Sequence, residues 1–598
     1  MQSLIKNRLL SIIAFVSIIF SVIIIAQTPY SNTYEISIYN VYPIYFWILL
    51  SIPISIAFLK VIIEEKSNYY TFTILGGALF SIFILLGLPF FRGYPFYGAG
   101  DTLTHLGMIK DIVISGHIGL HNPYPIIHLL IFSLSTISNL TPEKISLFIP
   151  TIFVFLFIIS MFLLSKSLGY SKKESLFVML FSIVPVLGTG LTTEYINPSL
   201  QAFLYIPFAL FLFFKSRNSE RKMEFSIILL ISLFLIAFFH PEPLIYLTIF
   251  FVVLFFVSKF EKKLNQGFNK PNLSIQRISL PLSFLIVASL AWFSTTLVFG
   301  NSVFQIYNTF ILNLQNTPPP IATLIGGFHI SIVDVLSTIA KQYGIMLVYL
   351  IFGAFLVLYA IFKIILKKKI TFLNLLLASI FSAFALTSLV FLTKGTSIGI
   401  QVLRPIKYPL LIATLILGIY FSTFIKNLNL KSISHVFIII IFVFILPFIA
   451  ITSTFPSPSM QEYNYEPTQS DIQGMSFFLD NRNNTIYATE VLPFAYQSRY
   501  ADYLLGYEAK KTNLISGTNT TPPHFGYNST NSEIGSYYKK SEYLLMYPPS
   551  LIYYPEIYPN YENLWIYTPS DFENLENNDK SVNSVYNNGK FQLFLINN

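Results

Sequence analysis

The sequence predicts an α-helical integral membrane protein of about thirteen spans, with a small C-terminal α/β domain on the outer face. Three observations predict it. The 598 residues are 54% hydrophobic and 11% charged, with a mean hydropathy of +0.63, whereas a soluble chain carries roughly 25% charged residues. The basic residues behind the net charge of +9 sit in short clusters between apolar runs, the pattern of cytoplasmic loops and not of a nucleic-acid surface. After Phe455 the apolar runs stop, and Tyr, Asn, Pro and Ser dominate up to Asn598. No cysteine is present, which excludes disulfides, thiolate metal sites and cysteine nucleophiles.

The membrane part, residues 1–455, is read from the need for roughly 20 apolar residues per span. The opening run carries Lys6 and Arg8 before a long apolar stretch with no small-residue cleavage site, so it reads as a retained anchor with its N-terminus inside. Spans are placed near 9–26, 43–63, 72–91, 144–164, 174–190, 200–214, 225–239, 244–258, 279–300, 343–364, 371–392, 405–425 and 434–453. Leaving 124–139 out of that set puts the basic loops at 166–175, 215–222, 259–271, 363–369 and 426–431 all inside. The segment 124–139 then lies at or dips into the interface, and 92–142 forms one large outer loop. This topology makes the protein multi-pass in the cell membrane, with membrane lipid around it and the domain at 456–598 outside.

That domain reads as a small α/β unit. TQSDIQGMSFFLDNR has helical spacing at Ile472, Met475, Phe478 and Leu479. TIYATE and EYLLMYP read as strands, and TPSDFENLENN opens like a helix N-terminus. SVNSVYNNGKFQLFLI reads as a hairpin with Asn588-Gly589 as the tight turn. Asn483, Asn519 and Asn528 begin N-x-Ser/Thr sequons, which suit an outer location.

The chemistry concentrates in the loop at 92–142. It holds Asp101, His105, Lys110, Asp111, His117, His121 and His128, four of the chain's 8 histidines among them. On a helix at about 100° per residue, Asp101, Thr104, His105 and Asp111 point within roughly 120° of each other, while Leu106, Ile109 and Val113 share another side. Such a helix would lie flat, apolar side in the bilayer and carboxylates towards a water-filled cavity. Gly98 and Gly100 permit a close approach of backbone or ligand. Gly116, Gly119, Asn122 and Pro123 break the helix, so His117 and His121 do not read as a zinc pair; they and His128 read as ordinary polar residues of an outer loop.

Three other places put polar groups on the same side: Glu194 in TTEYINPS, His240 and Glu242 in FFHPEPL, and Arg404 and Lys407 in the segment ending VLRPIKYP. Ionisable groups at the edge of a membrane bundle are costly, so a site is the default reading, beside the plainer ones of loop solvation, helix capping and snorkelling to headgroups. An Arg–Lys pair can hold a phosphate by charge-assisted hydrogen bonds.

The order of these parts resembles the glycosyltransferase C superfamily, particularly archaeal membrane members. GDTLTH with NPYPIIHLL behind it is the most specific stretch, and the ending VYNNGKFQLFLI is similar to the end of several such outer domains. The resemblance implies a polyprenyl-phosphate-linked sugar as donor, with Asp101 as general base or metal ligand, Arg404 on the donor phosphate and Glu194 in the second outer loop of the core. It further implies His105 orienting Asp101 or touching the sugar. Lys407 would assist Arg404, and His240, Glu242 and Asp111 would bind substrate. The lone acid leaves metal dependence open: a divalent cation, Mg or Mn, would be held by Glu194 and Asp101, and Glu194, His240 and Glu242 would otherwise line the cavity. The acceptor would be a glycan, lipid or protein. The chain departs from the superfamily's oligosaccharyltransferases: the WWDxG signature is absent, with Trp565 the outer domain's only tryptophan, and Glu194 stands where an Asp-x-Asp pair would be. Two spans precede the usual first one. These departures favour transfer of one sugar, or a few, over oligosaccharide transfer to protein.

The function expected is therefore a membrane glycosyltransferase acting on the outer face. The alternative is a flippase or transporter of lipid-linked saccharides, which would show repeated halves with broken helices; no such repeat is visible. A third reading, a surface binding protein with its spans as an anchor, leaves most of the spans without purpose.

Overall fold

The computed structural model describes residues 2–63, 69–98, 100–188, 194–263, 275–295, 332–366, 368, 370–394, 404–428, 433–492, 496–510, 521–527 and 533–598. Among them, 11 helices are long and apolar enough to cross a membrane. The two other expected spans are helices of shorter apolar length. Lys172–Leu187 has 16 residues and spends its first turn on a charged capping box, Ser171 with Glu174, and the apolar part of the other is Ser279–Phe293. The segment expected at the interface is the helix Pro125–Ser138, 14 residues. At about 1.5 Å per residue it reaches only about two thirds of a hydrocarbon core of roughly 30 Å.

The helix Lys407–Lys426 sits at the centre of the bundle, buried along nearly its whole length. Gly418 lets it press against Lys172–Leu187, where an added Cβ would stand 2.6 Å from the Val178 Cα. This central helix fixes the position of the turn at its head, Arg404–Ile406.

On one side of the bundle the loops and the C-terminal domain form a continuous polar layer. Its firmest joint is a clamp around Glu35. Arg92 donates through both Nε (3.2 Å) and Nη2 to the Glu35 carboxylate and through Nη1 to the Pro29 carbonyl. Tyr94 donates its hydroxyl to Glu35 at 2.5 Å, and the Glu35 backbone N–H donates to Glu466 Oε2 at 2.9 Å. Asn464 receives the Tyr97 hydroxyl at 2.9 Å and donates to Tyr94 at 3.1 Å. Segments hundreds of residues apart are tied into one closed network.

The C-terminal domain carries a four-stranded sheet in the order β1-β2-β4-β3, with β1 Tyr487–Glu490, β2 Glu542–Met546, β3 Val582–Asn587 and β4 Gln592–Ile596. β1 and β2 are parallel, and the other pairings are antiparallel. The helices Gln469–Asn481 and Pro569–Asn577 begin at capping boxes on Thr468 and Thr568. The expected turn at Asn588-Gly589 is shifted by one residue. The Asn588 N–H meets the Phe591 carbonyl, so Gly589 and Lys590 are the central pair, with Gly589 at φ +84°. The Asn588 side chain accepts from the N–H groups of Lys590 and Phe591, which stabilises that register. The sequons at Asn519 and Asn528 lie outside the described residues, and Asn483 uses its side chain to accept from Thr485.

Candidate active site

Asp101 opens the helix Asp101–Ser115, where a carboxylate is favoured by the helix dipole. Before it, Gly98 packs so closely on Tyr195 that an added Cβ would stand 2.8 Å from that ring. The carboxylate lies between two guanidinium groups. Oδ1 is 3.0 Å from Arg499 Nη2 and Oδ2 is 3.5 Å from Arg404 Nη2. Arg404 comes from the head of the central helix. Arg499 comes from the C-terminal domain, on the helix Tyr496–Leu505. The three side chains keep 41%, 26% and 34% of their surface open. Burial acts to raise the Asp101 carboxyl, but His105, Arg499 and Arg404 together hold it below the ordinary carboxylate range, so it is ionised at neutral pH.

His105 lies one turn on. Burial pushes its imidazole down to about 4, against the pull of Asp101 and with the arginines adding to the effect, so the ring is neutral at pH 7. His105 Nδ1 meets His128 Nε2 at 3.1 Å, and His128 Nδ1 meets the Asn122 side-chain oxygen at 2.9 Å. An amide oxygen only accepts, so His128 Nδ1 carries the proton and His128 Nε2 accepts from His105 Nδ1–H. His105 Nε2 is then left with its lone pair. His128, expected to be an ordinary loop residue, is fully buried as the middle of this chain.

Lys407 does not stand beside Arg404 as a second phosphate arm. Its ammonium is buried and paired with Glu242 Oε2 at 3.3 Å, with Ser199 Oγ at 3.4 Å. Glu242, expected to bind substrate, is thus engaged by Lys407 through Oε2, while its Oε1 is buried with no hydrogen-bond partner among the described residues. His240 accepts the Glu242 N–H at 3.2 Å and lays its ring against Tyr124, centroids 4.6 Å apart. Arg404 is close enough for its charge to act on His240, Tyr124 and Lys407 alike.

Asp111 is not part of this cluster. Ten residues further along the helix, it accepts the Glu508 N–H at 3.0 Å, so it docks the C-terminal domain. Glu508 in turn binds His121 at 2.7 Å, and exposed His117 bonds to Ser115. Nor does the face with Leu106 and Ile109 meet lipid. Both are buried in the protein core, and only Val113 of that face is exposed. The opposite, polar side with Thr104 and Asp111 is covered too, by the helix Tyr496–Leu505, which comes so close at Gly107 that an added Cβ would collide with the Asp502 carbonyl.

The expected cation pair is not assembled either. Glu194 is buried, and its electrostatic neighbours are Tyr39, Tyr97, Tyr465 and Glu462, not Asp101. Burial, with the charge of Glu462 adding, pushes its carboxyl up to about 8. Both Asp101 oxygens face arginines, and among the described residues no three His, Asp or Glu side chains converge as a metal site would require. The donor set does not fit a cation held by Glu194 and Asp101.

Arg499 is the residue that sequence reading missed. Its signal was available: Tyr496, Tyr500, Tyr503 and Leu504 recur at helical spacing in YQSRYADYLL. What no spacing reveals is that this helix docks onto residues almost four hundred positions earlier.

No family model and no curated protein matches the chain in sequence. Several solved structures are similar to it. The Archaeoglobus fulgidus oligosaccharyltransferase, in complex with zinc and sulfate, is 14% identical with a TM-score of 0.45, over 77% of this chain and 65% of that one. ArnT from Cupriavidus metallidurans in the apo state is 9% identical with a TM-score of 0.36, over 84% of this chain and 94% of that one. The arabinofuranosyltransferase AftD from Mycobacteria is 12% identical with a TM-score of 0.44, over 95% of this chain and 41% of that one. This chain thus spans less than two thirds of the oligosaccharyltransferase and less than half of AftD. These neighbours are glycosyltransferase C superfamily members; at such identities the similarity says nothing about residue roles.

Proposed function

We propose that this protein is a membrane glycosyltransferase that moves a sugar from a polyprenyl-phosphate donor to an acceptor hydroxyl on the outer face of the membrane. The observation that carries the reading is the ionised, half-open Asp101 carboxylate with Arg404 and neutral His105 beside it, at the head of an apolar bundle. A lipid-phosphate sugar enters from the bilayer and Arg404 holds its phosphate. The acceptor oxygen bonds to the anomeric carbon as the bond from that carbon to the phosphate oxygen breaks. The electron pair leaves with the polyprenyl phosphate, whose charge Arg404 stabilises. The acceptor's proton passes to Asp101 as general base. A cell-surface glycan is a natural product of such a reaction.

One observation favours a second reading. The buried Lys407–Glu242 pair stands at the head of two spans, as a coupling site in a transporter of lipid-linked saccharides would. Detergent-solubilised protein separates the two, because it encloses no compartment. Given a radiolabelled polyprenyl-phosphate sugar and a cell-membrane extract as acceptor, the enzyme forms labelled product. No transfer from any donor, with saccharide flipping in proteoliposomes, would establish the transporter.

The orientation is tested separately. With no native cysteine, Ser171→Cys should label only from inside, and Ser133→Cys and Ser584→Cys only from outside; all three positions are exposed. Labelling of position 171 from outside would reverse the assignment.

A further inference from the structure

Arg499 has no assigned role in the reaction above, yet it is fixed in place with care. Its Nη1 donates to Thr104 Oγ1 at 2.8 Å, and the Thr104 hydroxyl donates to Asp502 Oδ2 at 2.6 Å. Asp502 lies three residues beyond Arg499 on the same helix. This triangle holds the guanidinium whether or not Asp101 is present. Asp101 lies 3.0 Å from Arg499 and 3.5 Å from Arg404, the second contact being long for a charge-assisted bond of 2.7–2.9 Å. Each arginine faces a different oxygen of one carboxylate that remains 41% exposed.

We infer that Arg404 and Arg499 are the two arms of a single phosphate seat, which Asp101 fills in the free protein and yields when a phosphodiester binds. The inference rests on the donor reading and extends it. The phosphate of a lipid-phosphate sugar is a diester whose two non-bridging oxygens share one negative charge, one oxygen for each arm, at an oxygen–oxygen bite close to that of a carboxylate. Guanidinium groups suit such paired oxygens. A seat of this width holds one phosphate, so a monophosphate donor fits it. Binding also sets an order. Asp101 gives up both arginines only when the donor is seated, so the base is released in the presence of the donor and stays engaged in its absence.

The test is equilibrium binding of a C55 polyprenyl monophosphate and of inorganic phosphate to full-length protein in detergent. Melting temperatures are recorded in parallel. Arg499→Ala should weaken both probes about tenfold to a hundredfold, the worth of one hydrogen bond to a charged group, and Arg499→Lys should fall between. Asp101→Asn should tighten both about tenfold, because the internal competitor loses its charge. That gain should shrink in the Arg499→Ala background. Where Arg499→Ala melts too early to measure, Arg499→Lys and Asp101→Asn decide. Asp101→Asn with unchanged or weaker binding overturns the stand-in. Arg499→Ala with normal melting and normal binding overturns the second arm, while the donor reading stands. Inorganic phosphate bound through both arginines, with the lipid phosphate refused, preserves the seat and removes the lipid donor. No binding of either probe by any form removes both.

Discussion

Glu35 and Asp101 both meet arginine in the polar layer, in opposite settings. The Glu35–Arg92 pair is 14% and 4% exposed and is saturated from within by Tyr94 and by neighbouring backbone. Asp101 is 41% exposed, and its arginines come from two separate parts of the molecule. The same ion-pair chemistry thus has two uses. Closed and desolvated, it clamps the loops together. Left open, it holds charges ready for something else to pair with.

The sharpest way to break this comparison is to neutralise each carboxylate. Asp101→Asn should lower sugar transfer about 10²–10⁴-fold, the contribution of a general base. It should change stability by no more than about 1 kcal/mol, as for an exposed pair. Glu35→Gln should do the reverse. It strands a buried guanidinium, which costs roughly 3–5 kcal/mol, while the molecules that remain folded transfer sugar at the normal rate. Transfer assays and melting curves on the two variants give the answer, and an exchange of their phenotypes would undo the assignment.

A smaller effect sharpens it. Gly107→Ala drives a methyl group into the Asp502 carbonyl, so the helix Tyr496–Leu505 must shift at a cost of about 1–3 kcal/mol. Arg499 moves with that helix. Phosphate binding should weaken while the Glu35 clamp is untouched, which amide hydrogen exchange over 28–43 would show as unchanged protection.

A further expected effect is in pH dependence. Burial, against the hydrogen bond from the Glu35 N–H, pushes Glu466 up to about 8 from an ordinary 4.5. Its folded pKa lies above its unfolded one, so its contribution to stability is full below about pH 4.5 and is lost as pH rises through 8. Asp101 is shifted the other way, so its share is present at neutral pH and is lost only in acid, as pH falls below the unfolded value of 3.8. Glu194 is raised in the same way, so the melting temperature should slope downward between pH 5 and 8, and Glu466→Gln should make that slope shallower. An unchanged slope would place the titrating group elsewhere.

The spans were legible because membrane solvation makes apolar length nearly sufficient; Lys172–Leu187, at 16 residues, is the short one, and its first turn is a charged cap. The caps at Thr468 and Thr568 were legible because their hydrogen bonds are local. Asp101, His105 and Arg404 stood out as ionisable groups in an apolar chain, and the structure does bring them together. Partners were not legible. Nothing in the spacing of Lys407 says that it meets Glu242 and not a phosphate, and nothing on the polar face of Asp111 says that the face is covered by another domain. Arg499 was hidden for the same reason, since its meaning arises only through a contact across 395 positions.

That separation has a consequence in time. β4, the last strand in the chain, lies in the middle of the sheet between β2 and β3. Phe591, just before it, packs on Tyr547, which stacks with Tyr500 of the helix that carries Arg499. The helix therefore gains its full support only after β4 has emerged from the ribosome. At roughly 5–20 residues per second, that is about half a minute to a minute and a half after Asp101. During that interval the nascent protein has Asp101 and Arg404 but lacks a fully supported Arg499, so the two-arginine seat proposed above would be complete only in finished molecules.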